Sequence, residues 1–269
     1  MKILFIGDIF GHEGRRACLN EIKKLKEEEN IDLVIANAEN TSNGKGITKI
    51  HYEELMNSGI DFFTMGNHTW DNKEFYELVL KNQNIIRPGN VNLLVLNDYA
   101  HFSHIIIKNK LKIRITNLMG SSVTGKRFQV ISPFLFFNEW LNENKNNDDA
   151  DIHIVDFHAE STAEKAAFFR MFDGQIDAVL GTHTHVQTND NQISKNNTAF
   201  ITDIGLTGAH NSIIGAEMKG ILNFYKGIEN KMYISSANGI YQFCAVILTI
   251  DENTKKIVDI QKQFIIENK

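Results

Sequence analysis

"DAVLGTHTH", residues 177 to 185, runs from an apolar stretch directly into two histidines separated by one threonine. Its apolar part is short and shows no polar alternation, the pattern of a strand buried on both faces. His183 and His185 therefore stand where a buried strand surfaces, and they read either as a polar loop or as half of a metal site. Three further segments share the arrangement of an Asp, a short β-favouring run and a cluster of potential ligands: "DLVIANAEN" (32 to 40), "DFFTMGNH" (61 to 68) and "DIHIVDFH" (151 to 158). A fifth run, "KILFIGD", opens the sequence and ends in Asp8.

Helical spacing fills the intervals. "RRACLNEIKKLKEEEN" (15 to 30) puts Cys18, Ile22 and Leu25 on one face, and "NKEFYELVLKN" (72 to 82) does the same with Phe75, Leu78 and Val79. "SPFLFFNEWLNE" (132 to 143) places Ser132 as an N-cap with Pro133 at the first helical position, and its stripe of Phe134, Phe136, Phe137 and Trp140 reads as helix packing. "STAEKAAFFRMFDG" (161 to 174) fits a capping box from Ser161 to Glu164 and a terminal Gly174. Strand and helix alternate, which predicts an α/β fold with a substantially parallel core. Two stretches read instead as hairpins that extend or flank the sheet with antiparallel strands: residues 101 to 118, turning at Asn109 and Lys110, and residues 240 to 266, turning at "DENT". Prolines number only two, and "NENKNNDDAD" (142 to 151) reads as a polar loop, so residues 1–269 are expected to form one domain.

Composition narrows the functions available. A formal net charge of -5 lacks the basic surplus of a dedicated nucleic-acid binder, so no stable nucleic-acid partner is expected. Gly7 and Asp8 interrupt the first apolar run before it reaches signal-peptide length, and no later run is long enough for a membrane span. The two cysteines, Cys18 and Cys244, fall in a predicted helix and a predicted strand, which points away from a disulfide framework and toward the cytoplasm.

Open α/β sheets gather ligands at the carboxyl ends of their strands. Asp8, Glu39 with Asn40, Asn67 with His68, His158, and His183 with His185 all fall at such ends, and they converge if the five strands share one sheet. Oxygen and nitrogen ligands without a thiolate suit Fe, Mn or Zn. Seven or eight donors exceed what one ion uses, so the count points to two ions. Glu39 is a carboxylate able to bridge cations about 3.5–4 Å apart, the spacing suited to displacement at phosphorus. On an extended backbone His183 and His185 would share a face, one for each ion. Two such ions acidify a bridging water, which predicts a metal-bridging hydroxide as nucleophile. His68 diverges from Asn67 on extended backbone and is left for a role other than ligation.

These residues carry a resemblance. "GD" (7 to 8), "GNH" (66 to 68) and "GTHTH" (181 to 185) resemble the signature blocks of the calcineurin-like metallophosphoesterases. "GDIFGHEGR", "NAENTSNGKG", "TMGNHTWD", "DFHAESTAEK", "GTHTHVQTND" and "ITDIGLTG", in order from residue 7 to 208, resemble more closely the YmdB-type bacterial phosphodiesterase subfamily. The resemblance implies a β-sandwich core flanked by helices in αββα layers, with the metal site at the carboxyl ends of the strands. The superfamily's first motif is Asp-x-His, whereas Phe10 stands here in place of the His, and its bridging Asp is replaced by Glu39. In the subfamily pattern Asn40 substitutes for the lost His. The resemblance assigns Asp8, Glu39, Asn40 and His185 to one metal, and Glu39, Asn67, His158 and His183 to the other. It makes His68 the group that protonates the leaving oxygen, with Fe and/or Mn as the foremost ions and Zn as a third. It also implies a small phosphodiester or cyclic nucleotide substrate, notably 2′,3′-cyclic monophosphates, and admits a homo-oligomer.

Each residue has a plainer alternative. Asp8 could cap a turn, Asn40 could be a turn residue, Asn67 and His68 could form a hydrogen-bonded turn, and His158 could be a core histidine like His153. His12 is either a rival ligand for the first metal or an exposed loop residue. His51, His101, His104 and His210 have no supporting neighbours, and Lys126 and Arg127 could meet a substrate phosphate or simply be solvated. Asp156 and Asp203 could orient ligand histidines or cap buried backbone. Two further functions use the same residues: a phosphomonoesterase or nucleotidase, and a metal-binding regulatory protein acting through a partner.

Overall fold

The structure, a computed structural model, describes residues 1–93, 101–123, 128–144 and 149–268. Its first half runs β1 (Lys2–Ile6), β2 (Asp8–Ile9), α1 (Gly11–Glu29), β3 (Leu33–Asn37), α2 (Lys49–Asn57), β4 (Phe62–Thr64), α3 (Glu74–Lys81), β5 (Val91–Leu93), β6 (Ser103–Lys108), β7 (Leu111–Met119), β8 (Phe128–Val130) and α4 (Pro133–Asn144). The second half adds β9 (Ile152–His158), α5 (Thr162–Met171), β10 (Ala178–Thr182), β11 (Gln192–Ile193), β12 (Ala199–Ile201), β13 (Leu206–Ala209), α6 (Met218–Tyr225), β14 (Tyr241–Asp251) and β15 (Lys256–Ile266).

Two large sheets form. One is ordered β2-β13-β14-β1-β3-β4, with β15 also paired to β14, and the other is ordered β11-β12-β10-β9-β7-β6. The five strands do not share one sheet: β1, β3 and β4 lie in the first and β9 and β10 in the second, as the sandwich implied by the family resemblance requires. The core is also less parallel than the alternation suggested. β1 pairs parallel with β3 but antiparallel with β14, and β7, β9, β10 and β12 are parallel with antiparallel strands at both edges.

The alternation of side chains builds four layers. Leu4, Ile6, Val34 and Ala36 face α1 and α2, packing with Cys18, Ile22, Leu25 and Leu55. Ile3, Phe5, Leu33, Ile35 and Phe62 point the other way and meet Ile113, Ile115, Ile152, Ile154 and Leu180 from the second sheet. That sheet's outer face, with Val155, Phe157 and Val179, is covered by Phe137 of α4 and Phe168, Phe169 and Phe172 at α5. The order is αββα, and each fully buried Ile or Phe contributes about 1.5–3 kcal/mol relative to exposure. Strands in either arrangement are apolar on both faces, so the runs alone do not distinguish one sheet between helices from two sheets sharing a core.

The hairpin at Asn109 and Lys110 forms as expected, with φ of 49° and 68° at the two turn residues. The C-terminal hairpin extends the first sheet with antiparallel strands: β14 pairs with β13 and β1 in turn along one edge and with β15 along the other, and its residues Phe243 to Leu248 are buried. Ser161 caps α5 by accepting from Glu164 N at 3.3 Å, but the reciprocal half of the capping box is replaced by Ser121 N donating to Glu164 Oε1 at 2.8 Å. Residues 142–144 of the expected polar loop are the last of α4, and 145–148 lie outside the described residues. Cys18 and Cys244 are buried and free, and among the described residues no helix is long and apolar enough to cross a membrane.

Candidate metal centre

The carboxyl ends of β1, β3, β4, β9 and β10 meet at one end of the sandwich. Polar bridges fasten the sheets there: Asn37 Nδ2 donates to Asp156 Oδ2 at 3.0 Å, and Met65 N donates to Asn117 Oδ1 at 3.2 Å. Glu39 and Asn40 follow β3, Asn67 and His68 follow β4, His158 ends β9, and His183 follows β10. Gly66 permits the approach, since a Cβ at that position would lie 2.4 Å from both Glu39 Oε2 and His158 Nε2.

The seven expected ligands come together. Ligating atoms of Glu39, His158 and His183 lie within 4.8 Å of one another, as do those of Asp8, Glu39 and His185, and Glu39 belongs to both groups. Asn67 Oδ1 is 3.0 Å from His158 Nε2, and His183 Nδ1 is 3.1 Å from the same nitrogen. The Asn40 amide lies 2.8 Å from Glu39 Oε1 and 3.2 Å from His185 Nε2. Asp8 Oδ2 accepts from His183 N at 3.0 Å, while its buried Oδ1 has no hydrogen-bond partner and lies 3.9 Å from His185 Nε2. An orphaned carboxylate oxygen beside imidazole nitrogens is costly unless a cation takes it up.

The partners of the three histidines fix their tautomers. His185 Nδ1 lies 2.8 Å from the Ile214 carbonyl, which only accepts, so Nδ1 carries the proton and Nε2 turns its lone pair inward. Thr182 Oγ1 donates to Asp156 Oδ1 at 2.7 Å and accepts from His158 Nδ1 at 2.9 Å, freeing His158 Nε2. Glu160 Oε2 stands 3.1 Å from His183 Nε2 and leaves Nδ1 facing the centre. Each ring is thus oriented as a ligand by an acceptor behind it.

Sequence reasoning placed His183 and His185 on extended backbone; the structure corrects this. β10 ends at Thr182, and the two histidines adopt φ of 99° and 66° in a left-handed turn. Asp203 holds that turn: its Oδ2 accepts from Thr184 N at 3.0 Å, from Thr184 Oγ1 at 2.7 Å and from the fully buried Lys165 Nζ at 2.7 Å. Asp156 acts on His158 through Thr182, and Asp203 acts on the turn, so both the orienting and the capping readings find a place. His68 is likewise not on extended backbone, having φ −88° and ψ 4° ahead of a turn of 3-10 helix (Thr69–Asp71).

The field of the centre is cationic in its demand. Burial disfavours charge on His158, yet the carboxylates of Glu39 and Asp8 outweigh it and push its pKa up to about 9. Burial also raises the carboxyl of Asp8, whereas Glu39 is held below its ordinary range because His158 overcomes the burial that opposes ionisation. His183 is driven down to about 3 by burial and the adjacent His158. The set thus attracts positive charge to the space between its carboxylates while keeping His183 unprotonated.

His68 N donates to Glu39 Oε2 at 2.9 Å, and its Nδ1 meets Asp71 Oδ2 at 2.8 Å. Burial opposes a proton on His68, but Asp71 and Glu39 raise its pKa above the ordinary value. Phe10 is buried with its ring edge-on to His185, centroids 5.7 Å apart, where the superfamily pattern expects a ligand. His12 is exposed in the first turn of α1 and not in a loop. His153 is a satisfied core residue, 2.8 Å from Thr116 Oγ1. His51 meets Ser42 Oγ at 2.7 Å, His104 stacks on Phe62, and His210 meets Gln242 Oε1 at 2.9 Å, and none of the three belongs to either candidate ligand group. Lys126 and Arg127 lie outside the described residues.

Glu160, Thr182, Lys165 and the Ile214 carbonyl were not singled out from sequence. The first three lie inside the quoted blocks, where they read as spacers between ligands.

Comparison with known proteins places the chain in a family. The model of the YmdB-like protein family matches residues 4–263. A candidate phosphatase/phosphodiesterase of Mycoplasma genitalium is 40% identical over 268 residues, covering 97% of this chain and 92% of its own length. The 2′,3′-cyclic-nucleotide 2′-phosphodiesterase of Bacillus subtilis is 36% identical over 262 residues, with 97% and 96% covered. The crystal structure of a Mycoplasma pneumoniae phosphatase superposes with a TM-score of 0.92 at 37% identity, covering 100% of this chain and 94% of its own.

Proposed function

The chain belongs to the YmdB-like protein family, and from that premise we propose that it is a phosphodiesterase with a centre for two metal ions, acting on cyclic nucleotides such as 2′,3′-cyclic nucleoside monophosphates. The observation that carries the reading is the buried, unpartnered Asp8 Oδ1 beside His185 Nε2, with Glu39 linking that pair to the nitrogens of His158 and His183, each ring fixed from behind. Asp8, Glu39, Asn40 and His185 would hold one ion, and Glu39, Asn67, His158 and His183 the other. Their oxygen and nitrogen donors suit Fe and/or Mn, with Zn as the third choice. When bound, the ions supply Lewis-acid neutralisation of the phosphoryl oxygens and an acidified water.

The chain's own residues do the rest. Asp71 accepts from His68 Nδ1, which orients the ring and leaves Nε2 to carry a proton to the departing oxygen. Glu39 ties this acid to the centre through the His68 backbone. The name of the Bacillus subtilis relative supports a cyclic diester as substrate. A phosphomonoesterase would use the same donors, so initial rates on 2′,3′-cyclic AMP and 5′-AMP decide between them. We expect kcat/KM on the cyclic diester to exceed that on the monoester by about tenfold or more. The reverse ratio would replace the diesterase with a monoesterase.

A further inference from the structure

The cleft above the centre has a second wall whose chemistry is unlike the first. It encloses about 410 Å³ between the residues facing the metals and an apolar surface of Ile214, Tyr225, Met232 and Ile234, a volume suited to a small organic ligand. Three of these side chains remain largely exposed, Ile214 at 53%, Tyr225 at 74% and Ile234 at 62%, so they are not placed there to fill the core. The wall is nonetheless held in position. Glu217 N donates to Ser235 O and Ala237 N to Gly215 O, each at 2.9 Å, which pins both ends of the segment carrying α6.

Ile214 links the wall to the centre. Its φ is 47°, a left-handed conformation that costs a β-branched residue about 1–2 kcal/mol. In that conformation its carbonyl accepts from His185 Nδ1 while its side chain lines the cleft. Strain of this kind persists where the surrounding structure uses the geometry it enforces.

We propose that this wall binds the organic group of the substrate, a flat aromatic group of nucleobase size, with Ile214 and Tyr225 contacting its faces. The proposal rests on the phosphoesterase reading, which places the phosphate at the metal-facing wall. A nucleobase pairs apolar faces with polar edges, and Asn43 and Lys45 stand on the same cleft to meet such an edge. A small aliphatic phosphoester would leave the wall exposed to water and gain nothing from it.

Adenosine, which lacks the phosphate, is the direct probe. Equilibrium dialysis with the full chain is expected to show saturable adenosine binding, weakened about tenfold in Tyr225→Ala, from the usual worth of one base stacked on an aromatic ring, and weakened in Ile214→Asn, which replaces apolar contact area with a polar amide. Inorganic phosphate, as a competitive inhibitor, should keep the same inhibition constant in Tyr225→Ala. Folding is not at issue in these variants, because Tyr225 is exposed and Asn accepts positive φ at position 214. Absence of saturable adenosine binding to the wild type, or equal affinity in both variants, would overturn the proposal. Adenosine binding as expected, from a protein that cleaves no phosphoester, would uphold the wall and overturn the phosphoesterase reading instead.

Discussion

Replacing Glu39 with Gln is expected to lower kcat/KM on phosphodiesters by about 10³-fold, equivalent to about 4 kcal/mol of transition-state stabilisation. Glu39 is the one side chain shared by both candidate ligand groups, so its charge would serve each of the two proposed ions. Its two oxygens are already committed as acceptors, Oε1 to the Asn40 amide and Oε2 to His68 N. An amide in its place would turn an N–H toward one of these donors, displacing either Asn40 or the turn that carries His68. The variant should also bind fewer metal equivalents than the wild type, read by elemental analysis after dialysis. Wild-type turnover by Glu39→Gln would remove the shared carboxylate from the mechanism.

His68→Ala separates the acid from the metal centre. On 2′,3′-cyclic AMP, whose departing alkoxide needs a proton, kcat should fall by about 10²–10³-fold with little change in KM. On bis-p-nitrophenyl phosphate, whose phenolate leaves readily without one, the loss should stay within about tenfold. The pH profile gives a second reading. The raised pKa of His68 keeps its acid form present at neutral pH, so kcat on the cyclic nucleotide should decline as pH rises through that value. The alanine variant should lack this decline. Equal losses on both substrates would mean that His68 supports the centre structurally, through Glu39, and is not the proton donor.

How much of this was legible in the sequence depended on whether residue type or backbone carried the information. The candidate ligands are written as Asp, Glu, Asn and His at the ends of apolar runs, and the structure brings all seven side chains together. The sandwich entered through family resemblance, because a strand such as Ile3 to Ile6 is apolar on both faces whether its second face meets helices or another sheet. The neighbours of β14 were open for a related reason: a hairpin pattern specifies pairing to β15 but leaves the other edge of β14 unassigned, and β1 and β13 fill it. The left-handed turn at His183 and His185 carries no glycine at either position to announce it, and it is imposed by Asp203, eighteen residues beyond His185. Least legible was Ile214, whose contribution to His185 is a backbone carbonyl common to every residue. Its strain becomes visible only when φ is known.

If Asp8, Glu39, Asn40, Asn67, His158, His183 and His185 form a centre for two ions, phosphodiester cleavage depends on both of them. Elemental analysis of the purified chain, paired with turnover of bis-p-nitrophenyl phosphate before chelation, after chelation and after Mn²⁺ is restored, tests it most directly. About two equivalents of bound metal are expected, with loss of turnover on their removal and recovery on their return. Undiminished turnover by the metal-free chain, or saturation at a single equivalent, would contradict it.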